Sequence, residues 1–436
     1  MGSVRSAKTG FFPLDEELAL LPGSLTPHAH ECLVRLGTWI PSFGRAAEML
    51  GSCLGVVVSE ATMRRQTEGA GAAYEAIQTE EVGRLARELP ASPVGPEKLL
   101  LSVDGAMVPL LRGEWAEVKT LVLGEIGEPR QKGEEWVVHT RGLSYFSRLV
   151  EAEAFGRLAL VETHRRGVEK AQRVVAVTDG AEWEQKFIDL HRYDAERILD
   201  FPHAAERVSQ IGQALWGEGQ EKTEEWLRRQ LHSLKHQGPL PLLTELRALR
   251  EEHPQVSLLA QNLHYLEKRA GHMQYPYYQT QGWPIGSGAV ESGNKVVVEA
   301  RLKGAGKHWA VSHVNPMLAL RNVVCNGRWE EAWPQIAHRL RQEAAQRRRA
   351  VKERRRAQRT VGRETTPEQA LPKADLIPVE TIPTVVPSSA VPVQPVSSKT
   401  SKEQMPYRPP PDHPWRHSPI GRARYRPPVP HNHPKI

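Results

Sequence analysis

Three acidic residues that lie far apart in the sequence could together hold divalent cations. Asp104 lies in a run of strand-forming residues, Asp179 ends a second such run, and Glu291 follows a glycine-rich segment at the start of a helical pattern. Carboxylate oxygens suit Mg²⁺ and Mn²⁺. Two such ions, about 3.5–4 Å apart, can activate a water or a 3′-hydroxyl for phosphoryl transfer. The three carboxylates therefore predict a two-metal site, if the fold brings them together.

Each of these residues also has an ordinary structural explanation. A glutamate in the first turn of a helix complements the helix dipole, and the dipeptide Asp-Gly, present at 104–105 and 179–180, is common in tight turns. Apolar residues after Gly105 continue the strand, which weakens the turn explanation for Asp104. Glu299 is a second acidic candidate on the late helix, but it lies away from the glycines, so we favour Glu291.

The longest motif runs from residue 283 to residue 309 and surrounds Glu291. Gly286 and Gly288 are expected to let the backbone turn tightly into the helix. Residues three and four positions after Glu291 share its helix face, so an acid, an amide and a cation are expected to point one way. The amide is Asn294. The candidate contacts to DNA phosphates in this motif are Lys295, Arg301, Lys303 and Lys307, for which a solvated helix face is the alternative.

The elements that must position the acidic residues are short strands and amphipathic helices. Three runs, at 99–110, 115–124 and 135–140, predict consecutive antiparallel strands. The next elements predicted are a helix within 149–171, a buried strand at 174–180, a helix near 181–190, a short strand at 197–203, a helix that the glycine-rich segment opens, and a helix around 313–326. This order is that of a ribonuclease-H-like mixed α/β sheet. In that topology the first and fourth strands are neighbours, so Asp104 and Asp179 would meet beneath the helix that carries Glu291.

The remaining chain divides by composition. We expect an irregular arm at 1–27, a small helical, helix-turn-helix-like domain at 28–90, and a catalytic domain at 97–335 with an all-α insertion at about 204–280. Ser59 is a candidate N-cap. Arg64 and Arg65 follow it on the second helix and are candidate DNA contacts, with a plain helical packing module as the alternative.

Charge and composition separate the C-terminal region from the rest. The chain has a formal net charge of +7, and residues 339–359 hold ten Arg or Lys and two Glu, which predicts a basic helix at 336–360 that contacts a polyanion. Of 34 prolines, 17 lie in the last 77 residues, so 361–436 is predicted to be a disordered tail. Three cysteines, none in a CxxC pair, argue against a disulfide framework and favour a reducing compartment.

Several phrases of the sequence resemble one family. They are Ser102-Val-Asp-Gly-Ala-Met-Val-Pro, Trp115-Ala-Glu-Val-Lys, Val177-Thr-Asp-Gly-Ala-Glu-Trp, Pro284-Ile-Gly-Ser-Gly-Ala-Val-Glu-Ser, Ala300-Arg-Leu-Lys-Gly-Ala-Gly-Lys-His-Trp and Asn315-Pro-Met-Leu-Ala-Leu-Arg-Asn. Together they resemble ISKra-type bacterial insertion-sequence transposases, which cut and join DNA ends with Mg²⁺. The resemblance, which spans about residues 11–335, implies that Asp104, Asp179 and Glu291 are a DDE triad holding two Mg²⁺ or Mn²⁺ ions. It also implies double-stranded DNA as partner, at least a dimer on that DNA, and a nucleoid-associated place in the bacterial cytoplasm.

A second motif carries a further implication. Asp200-Phe-Pro-His203 matches the Cys/Asp-x-x-His signature of the wider Mutator-like group, which implies that Asp200 and His203 lie near the active site; taken alone they would be a solvated turn pair. Two other functions stay open. The chain could be a catalytically silent DNA-binding remnant or regulator of transposon ends, or a ribonuclease-H-like nuclease.

Overall fold

A mixed five-stranded sheet forms the centre of the fold. The computed structural model describes residues 25–132 and 135–361, with side chains described outside 132–136 and 355–361. The strands are β1 (Lys98–Pro109), β2 (Trp115–Ile126), β3 (Arg130–Lys132), β4 (Glu135–Val137), β5 (Thr140–Arg148), β6 (Arg173–Thr178) and β7 (Glu196–Leu199). The sheet order is β5-β2-β1-β6-β7, and β3 pairs only with β4. The predicted arm before residue 25 and the predicted tail after residue 361 lie outside the described residues.

The predicted neighbourhood of the first and fourth strands is confirmed. β2 pairs antiparallel with both β1 and β5, whereas β6 pairs parallel with β1 and with β7. Leu101 lies opposite Ala176, an offset of 75 residues. The Ser102 hydroxyl donates to the Val177 carbonyl at 2.5 Å across the same strand pair. The same offset, extended by two residues from Ser102 and Val177, aligns Asp104 with Asp179.

The third strand of the sheet is not the predicted one. We expected it at 135–140, but Glu135–Val137 pairs with Arg130–Lys132 in a small hairpin, and β5 provides the third strand. The residues of β5 alternate less clearly in polarity, because its Ser144 and Ser147 are polar residues at buried positions. The sequence pattern therefore did not predict this strand.

Two helices cover one face of the sheet. They are α4 (Ala152–Arg165), within the predicted range 149–171, and α5 (Glu182–Arg192), which runs two residues past the range predicted near 181–190. Phe155 and Phe187 from these helices pack with Leu101 and Val103 of β1. Because side chains alternate across a strand, Ser102 and Asp104 belong to the opposite face.

The predicted helical insertion is confirmed as helical. It contains α6 (Phe201–Trp216), α7 (Glu221–Gln237), α8 (Pro239–Glu252), α9 (Ser257–Lys268) and α10 (Tyr275–Thr280), and the chain described from 201 to 280 contains no strand. The predicted strand at 197–203 ends early, at Leu199. Asp200 is the N-cap of α6, and Pro202 occupies its first turn, where a missing backbone N–H costs nothing.

The late helical segment is interrupted by a π-helix. α11 (Gly288–Gly293) leads into the π-helix Asn294–Glu299 and then α12 (Ala300–Leu302), followed by α13 (Val311–Cys325) and α14 (Trp329–Val361). Val290 and Val297 pack against Ala106 of β1 and Val122 of β2, so this segment crosses the face to which Asp104 belongs. A π-helix has more residues per turn than an α-helix. The residues after Glu291 therefore point in directions that differ from those in an ideal α-helix.

The glycines that matter for this segment differ from those expected. Gly286 and Gly288 are not among the glycines with positive φ, so the turn into α11 does not require their special conformations. Gly293 has a different role: a Cβ there would lie 2.7 Å from Val122 Cγ2. Glycine at 293 lets the helix approach β2 closely.

Three helices precede the sheet: α1 (Pro27–Trp39), α2 (Phe43–Leu54) and α3 (Glu60–Glu88). The Ser59 hydroxyl accepts the Thr62 N–H at 3.2 Å, so the predicted N-cap is confirmed. α3 crosses α13 so closely that a Cβ on Gly71 would lie 2.2 Å from the Pro316 carbonyl. Residues of α1–α3 share one hydrophobic core with β1, β2, α13 and α14. In the described ranges, no helix has the length and apolar character needed to cross a bilayer.

Candidate active site

Asp104 is held by two hydrogen bonds in the middle of β1. Its Oδ1 accepts the Gly105 N–H at 2.7 Å, and its Oδ2 accepts the Asn294 side-chain amide at 2.8 Å. Burial raises the pKa of the Asp104 carboxyl, the Gly105 hydrogen bond lowers it, and the charge of Asp179 raises it further. Asp179 is therefore close enough for its charge to act on the Asp104 carboxyl.

Asp179 follows the last residue of β6 and lies on the same face of the sheet. Val175 and Val177 of β6 pack in one core with Leu100 of β1, and the alternation of side chains continues to Asp179 and Asp104. The Asp179 Oδ1 accepts the Ala181 N–H at 2.8 Å. Two side chains of the helical insertion also fix this turn: the Tyr265 hydroxyl donates to the Asp179 carbonyl, and the Arg269 Nη2 donates to the Gly180 carbonyl at 2.6 Å.

A buried acid, Glu184, stabilises the turn that follows Asp179. Glu184 is 1% exposed, and its Oε2 accepts the N–H groups of Gly180 and Ala181 at 3.0 and 3.1 Å. Burial raises its pKa to about 10, with further contributions from hydrogen bonding to Asp179 and from the charge of Asp179. Glu184 is therefore protonated at pH 7 and adds no negative charge beside Asp179.

A second acid connects the sheet to the segment before Glu291. Asp200 is fully buried, and its Oδ1 accepts the Ser287 N–H at 2.5 Å. Its Oδ2 accepts the His203 N–H at 3.0 Å and lies 2.6 Å from His203 Nδ1. The hydrogen bond to Asp200 raises the pKa of His203, and the charges of Asp179 and Asp104 raise it as well. The charges of Asp104 and Asp179 thus act on the His203 ring, and the place of Asp200 and His203 near the active site stays a prediction.

Glu291 remains apart from the two aspartates. Its side chain is exposed, and its Oε1 accepts the Ser287 hydroxyl at 3.3 Å. Throughout the described ranges, no three His, Cys, Asp or Glu side chains stand close enough together to hold a metal ion. The structure therefore brings Asp104 and Asp179 together and places Glu291 on a helix that crosses the same face, but it does not assemble the expected cluster of three.

The donor chemistry at the two aspartates fits a divalent cation. On both side chains, a carboxylate oxygen that accepts an N–H hydrogen bond retains a further lone pair, although Asp179 is also hydrogen-bonded to the Glu184 carboxyl. The charge of Asp179 raises the pKa of Asp104, a repulsion that a bound cation would remove. Asp104 and Asp179 are thus the residues that could hold Mg²⁺ or Mn²⁺.

One of the predicted DNA contacts is wrong. Arg301 is 1% exposed, and its guanidinium donates to the carbonyls of Gly37 and Pro41. It also lies over the rings of Phe43 and Trp309, at 4.4 and 5.2 Å from their centroids. Burial lowers its pKa to about 10. Arg301 joins the late helical segment to the turn between α1 and α2, so it cannot reach a phosphate.

The other basic candidates differ in accessibility. Lys303 is half-buried and pairs with Glu299 at 2.6 Å, and Lys307 donates to the carbonyls of Arg301 and Lys303. Both lysines thus contribute to the structure of their own loop. Several basic side chains are exposed on the helices, namely Arg64, Arg65 and Lys295, together with Arg341, Arg347, Arg348, Arg349, Lys352 and Arg354 of α14. These exposed residues are the accessible candidates for phosphate contact.

A cavity of about 1030 Å³ opens beside the segment that leads to Glu291. It is lined mainly by apolar residues of that segment and of α10, among them Trp283, Ile285 and Pro276. Trp283 is anchored by the Glu196 carboxylate, which accepts its indole N–H at 3.1 Å. The anchored ring fixes one wall of the cavity and the start of the motif.

Four residues near the two aspartates were not predicted as site residues. Glu184, Tyr265 and Arg269 support the Asp179 turn, and Asn294 holds Asp104. Asn294 had a signal in the sequence, its spacing of three residues from Glu291. Tyr265 and Arg269 had none, because they lie 86 and 89 residues from the turn they contact.

No family model matches the chain, and no curated protein matches it. Support for a function therefore comes from the geometry and chemistry of the chain itself.

Proposed function

We propose that the chain is a DNA transposase of a bacterial insertion sequence, of the ISKra type, with a ribonuclease-H-like catalytic domain. One observation carries the proposal: Asp104 in β1 and Asp179, directly after the neighbouring parallel strand β6, belong to the same face of the sheet, which the helical segment of Glu291 crosses. The strand order β5-β2-β1-β6-β7, with only β2 antiparallel to its neighbours, supports it because it is the order expected of that fold.

The proposed reaction is phosphoryl transfer on double-stranded DNA. Bound Mg²⁺ or Mn²⁺, two ions in the full reaction, would make the attacking water or 3′-hydroxyl more acidic and neutralise charge on the phosphate. Asp104 and Asp179 would hold the cations. The attacking oxygen forms a bond to phosphorus as the bond to the leaving 3′-oxygen breaks, so no side chain becomes covalently attached. Asp200 fixes the backbone ahead of Glu291 and orients His203 next to the aspartates.

Glu291 has to release Ser287 to join the aspartates. Among the described residues its carboxylate accepts only the Ser287 hydroxyl, at 3.3 Å and partly exposed, so little opposes this change. Catalytic contacts are often loose before substrate binds. We infer that DNA and cations together draw Glu291 inward, and that at least two copies of the chain act on paired ends in the bacterial cytoplasm.

A nicking assay tests the proposal. The substrate is a supercoiled plasmid carrying the DNA that flanks the gene in its genome, incubated with Mg²⁺, with Mn²⁺ or with EDTA. The wild type should nick it only with metal. Asp104→Ala and Asp179→Ala should lose activity by at least about 100-fold, equivalent to about 2.7 kcal/mol of transition-state stabilisation. The matched control is Asp189→Ala, which removes an exposed carboxylate of α5 that pairs with Arg197. Equal nicking by Asp179→Ala and wild type would exclude the proposed chemistry.

A second candidate function is a DNA-binding protein that occupies transposon ends without cutting them. The separation of Glu291 from the two aspartates favours it. The same assay, combined with a gel-shift measurement on the flanking DNA, distinguishes the two. Binding of the ends by a wild type that never nicks would support the silent protein, whereas metal-dependent nicking would exclude it.

A further inference from the structure

The side-chain amide of Asn294 is buried, and its nitrogen and oxygen differ in their hydrogen bonding. The residue is 5% exposed, and its Nδ2 donates to Asp104 Oδ2 at 2.8 Å. Its Oδ1 is buried and accepts no hydrogen bond from any residue in the described ranges. A buried polar atom without a partner costs about 1–3 kcal/mol. The fold therefore maintains an unfavourable feature directly beside Asp104.

The orientation of this amide is fixed by its neighbour. Rotating the amide by 180° would place Oδ1 against Asp104 Oδ2, and two acceptor oxygens repel each other. Oδ1 therefore stays on the branch of the amide that Asp104 does not occupy. There it can accept a hydrogen bond only from a donor outside the described protein groups.

The backbone around Asn294 is held in an uncommon form. Asn294 is the first residue of the π-helix, a conformation that is rare and often found at functional sites. Arg321, which is 2% exposed, donates from Nη2 to the Val296 carbonyl at 2.5 Å and from Nε to the Val297 carbonyl at 3.3 Å. A buried arginine thus stabilises the turn that directs Asn294 towards Asp104.

We propose that Asn294 is a positioning residue of the cation site, an inference that rests on the proposed function. Its Nδ2 orients the Asp104 carboxylate, and its Oδ1 would accept a hydrogen bond from a water molecule that a bound cation holds. Mg²⁺ and Mn²⁺ keep several waters when protein carboxylates hold them, so such a donor is expected. The cost of the unpaired oxygen is removed when the cation binds.

Cation binding by the full chain tests this role without DNA. The probe is Mn²⁺ alone, titrated with detection by electron paramagnetic resonance, and the variant is Asn294→Leu, which has similar size and no polar atoms. We expect Mn²⁺ affinity to fall about 10- to 100-fold, the usual effect of losing a partner of a metal ligand. The matched control is Asn262→Leu, since Asn262 is equally buried (3% exposed) but lies in α9 and donates to Gln210. Its Mn²⁺ affinity should equal that of the wild type.

Thermal unfolding separates positioning from folding. Without Mn²⁺, Asn294→Leu should melt close to the wild-type temperature, because the removal of an unpaired buried oxygen offsets the loss of the hydrogen bond to Asp104. With Mn²⁺, its gain in melting temperature should be smaller than that of the wild type. In the nicking assay, saturating Mn²⁺ should restore Asn294→Leu towards wild-type rates and should not restore Asp104→Asn. A purely structural defect would not respond to Mn²⁺ in this way.

Four outcomes decide the inference. Unchanged Mn²⁺ affinity in Asn294→Leu would overturn it, as would an equal loss in Asn262→Leu. A wild type that binds no Mn²⁺ would overturn both this inference and the proposed function. A wild type that binds Mn²⁺ in an Asn294-dependent manner but never nicks DNA would support the role of Asn294 and refute the transposase activity.

Discussion

His203 Nδ1 lies 2.6 Å from Asp200 Oδ2, and this pair connects the end of the sheet to the motif of Glu291. The carboxylate is fully buried and also accepts the N–H groups of His203 and Ser287. A residue in the first turn of α6 and a residue ahead of α11 therefore share one acceptor. Loss of that acceptor should affect both elements.

Asp200→Asn tests this connection. The neutral amide has one acceptor oxygen in place of two, so at least one donor would be left unpaired. We expect the free energy of unfolding to fall by about 2–4 kcal/mol and nicking to fall at least about 10-fold. Urea unfolding and the plasmid assay measure these changes, with Asp189→Asn on the surface of α5 as the control. An unchanged unfolding midpoint would show that Asp200 does not anchor Ser287.

The close packing of α11 on β2 predicts opposite effects at two glycines. In Gly293→Ala the new Cβ would lie 2.7 Å from Val122 Cγ2 and 3.2 Å from a Tyr145 ring carbon, and we expect a loss of about 1–3 kcal/mol of stability. Gly288→Ala meets no atom within 4 Å and should be neutral, or stabilising by about 0.4–1 kcal/mol. Urea unfolding of both variants checks the pair, and equal losses would contradict the packing argument.

Substitution of a buried arginine should change stability, whereas substitution of an exposed arginine should change DNA binding. Arg301→Met leaves the carbonyls of Gly37 and Pro41 without their donor and should cost about 2–4 kcal/mol. It should not alter the salt dependence of DNA affinity. Arg64→Ala should leave the free energy of unfolding unchanged. If exposed Arg64 contacts a phosphate, the slope of log DNA affinity against log salt concentration should become smaller by about 1. A reduced salt slope in Arg301→Met at a temperature where it is folded would contradict its structural assignment.

His191 predicts a loss of stability in mild acid. Its Nε2 lies 2.9 Å from the Gly156 carbonyl and its ring centroid lies 4.4 Å from that of Phe187. Burial lowers its pKa from 6.5 to about 4, so the unfolded chain binds the proton more tightly. The stabilisation that comes from keeping His191 neutral is therefore fully present above pH 6.5. It is lost as the pH falls towards 4, and the free energy of unfolding decreases by on the order of 2 kcal/mol.

Urea unfolding between pH 4 and pH 7 measures this effect. His191→Gln should flatten the dependence of the unfolding free energy on pH across that window. His338→Gln changes an exposed histidine of α14 and should leave the dependence as in the wild type. An unaltered pH dependence in His191→Gln would mean that other groups cause the acid sensitivity.

The sequence predicted the elements whose signals are local. Ser59 caps α3, the helices of the insertion follow their apolar periodicity, and Asp104 and Asp179 lie in and just after the strands assigned to them. The third strand was missed because β5 buries Ser144 and Ser147, which disrupts its alternation of polar and apolar residues. The role of Gly293 was missed as well, since its neighbour Val122 is distant in sequence.

By itself, the sequence determined which residues could carry chemistry and that β1 and β6 would be neighbours, because strand order and residue type are encoded along the chain. Tertiary structure decided which of those residues are accessible and which meet. Arg301 is basic in any reading, but its burial over Phe43 and Trp309 depends on how α1 and α2 pack against the late helices. Likewise, the hydrogen bond from Asn294 to Asp104 joins residues 190 positions apart and exists only because a π-helix crosses the sheet.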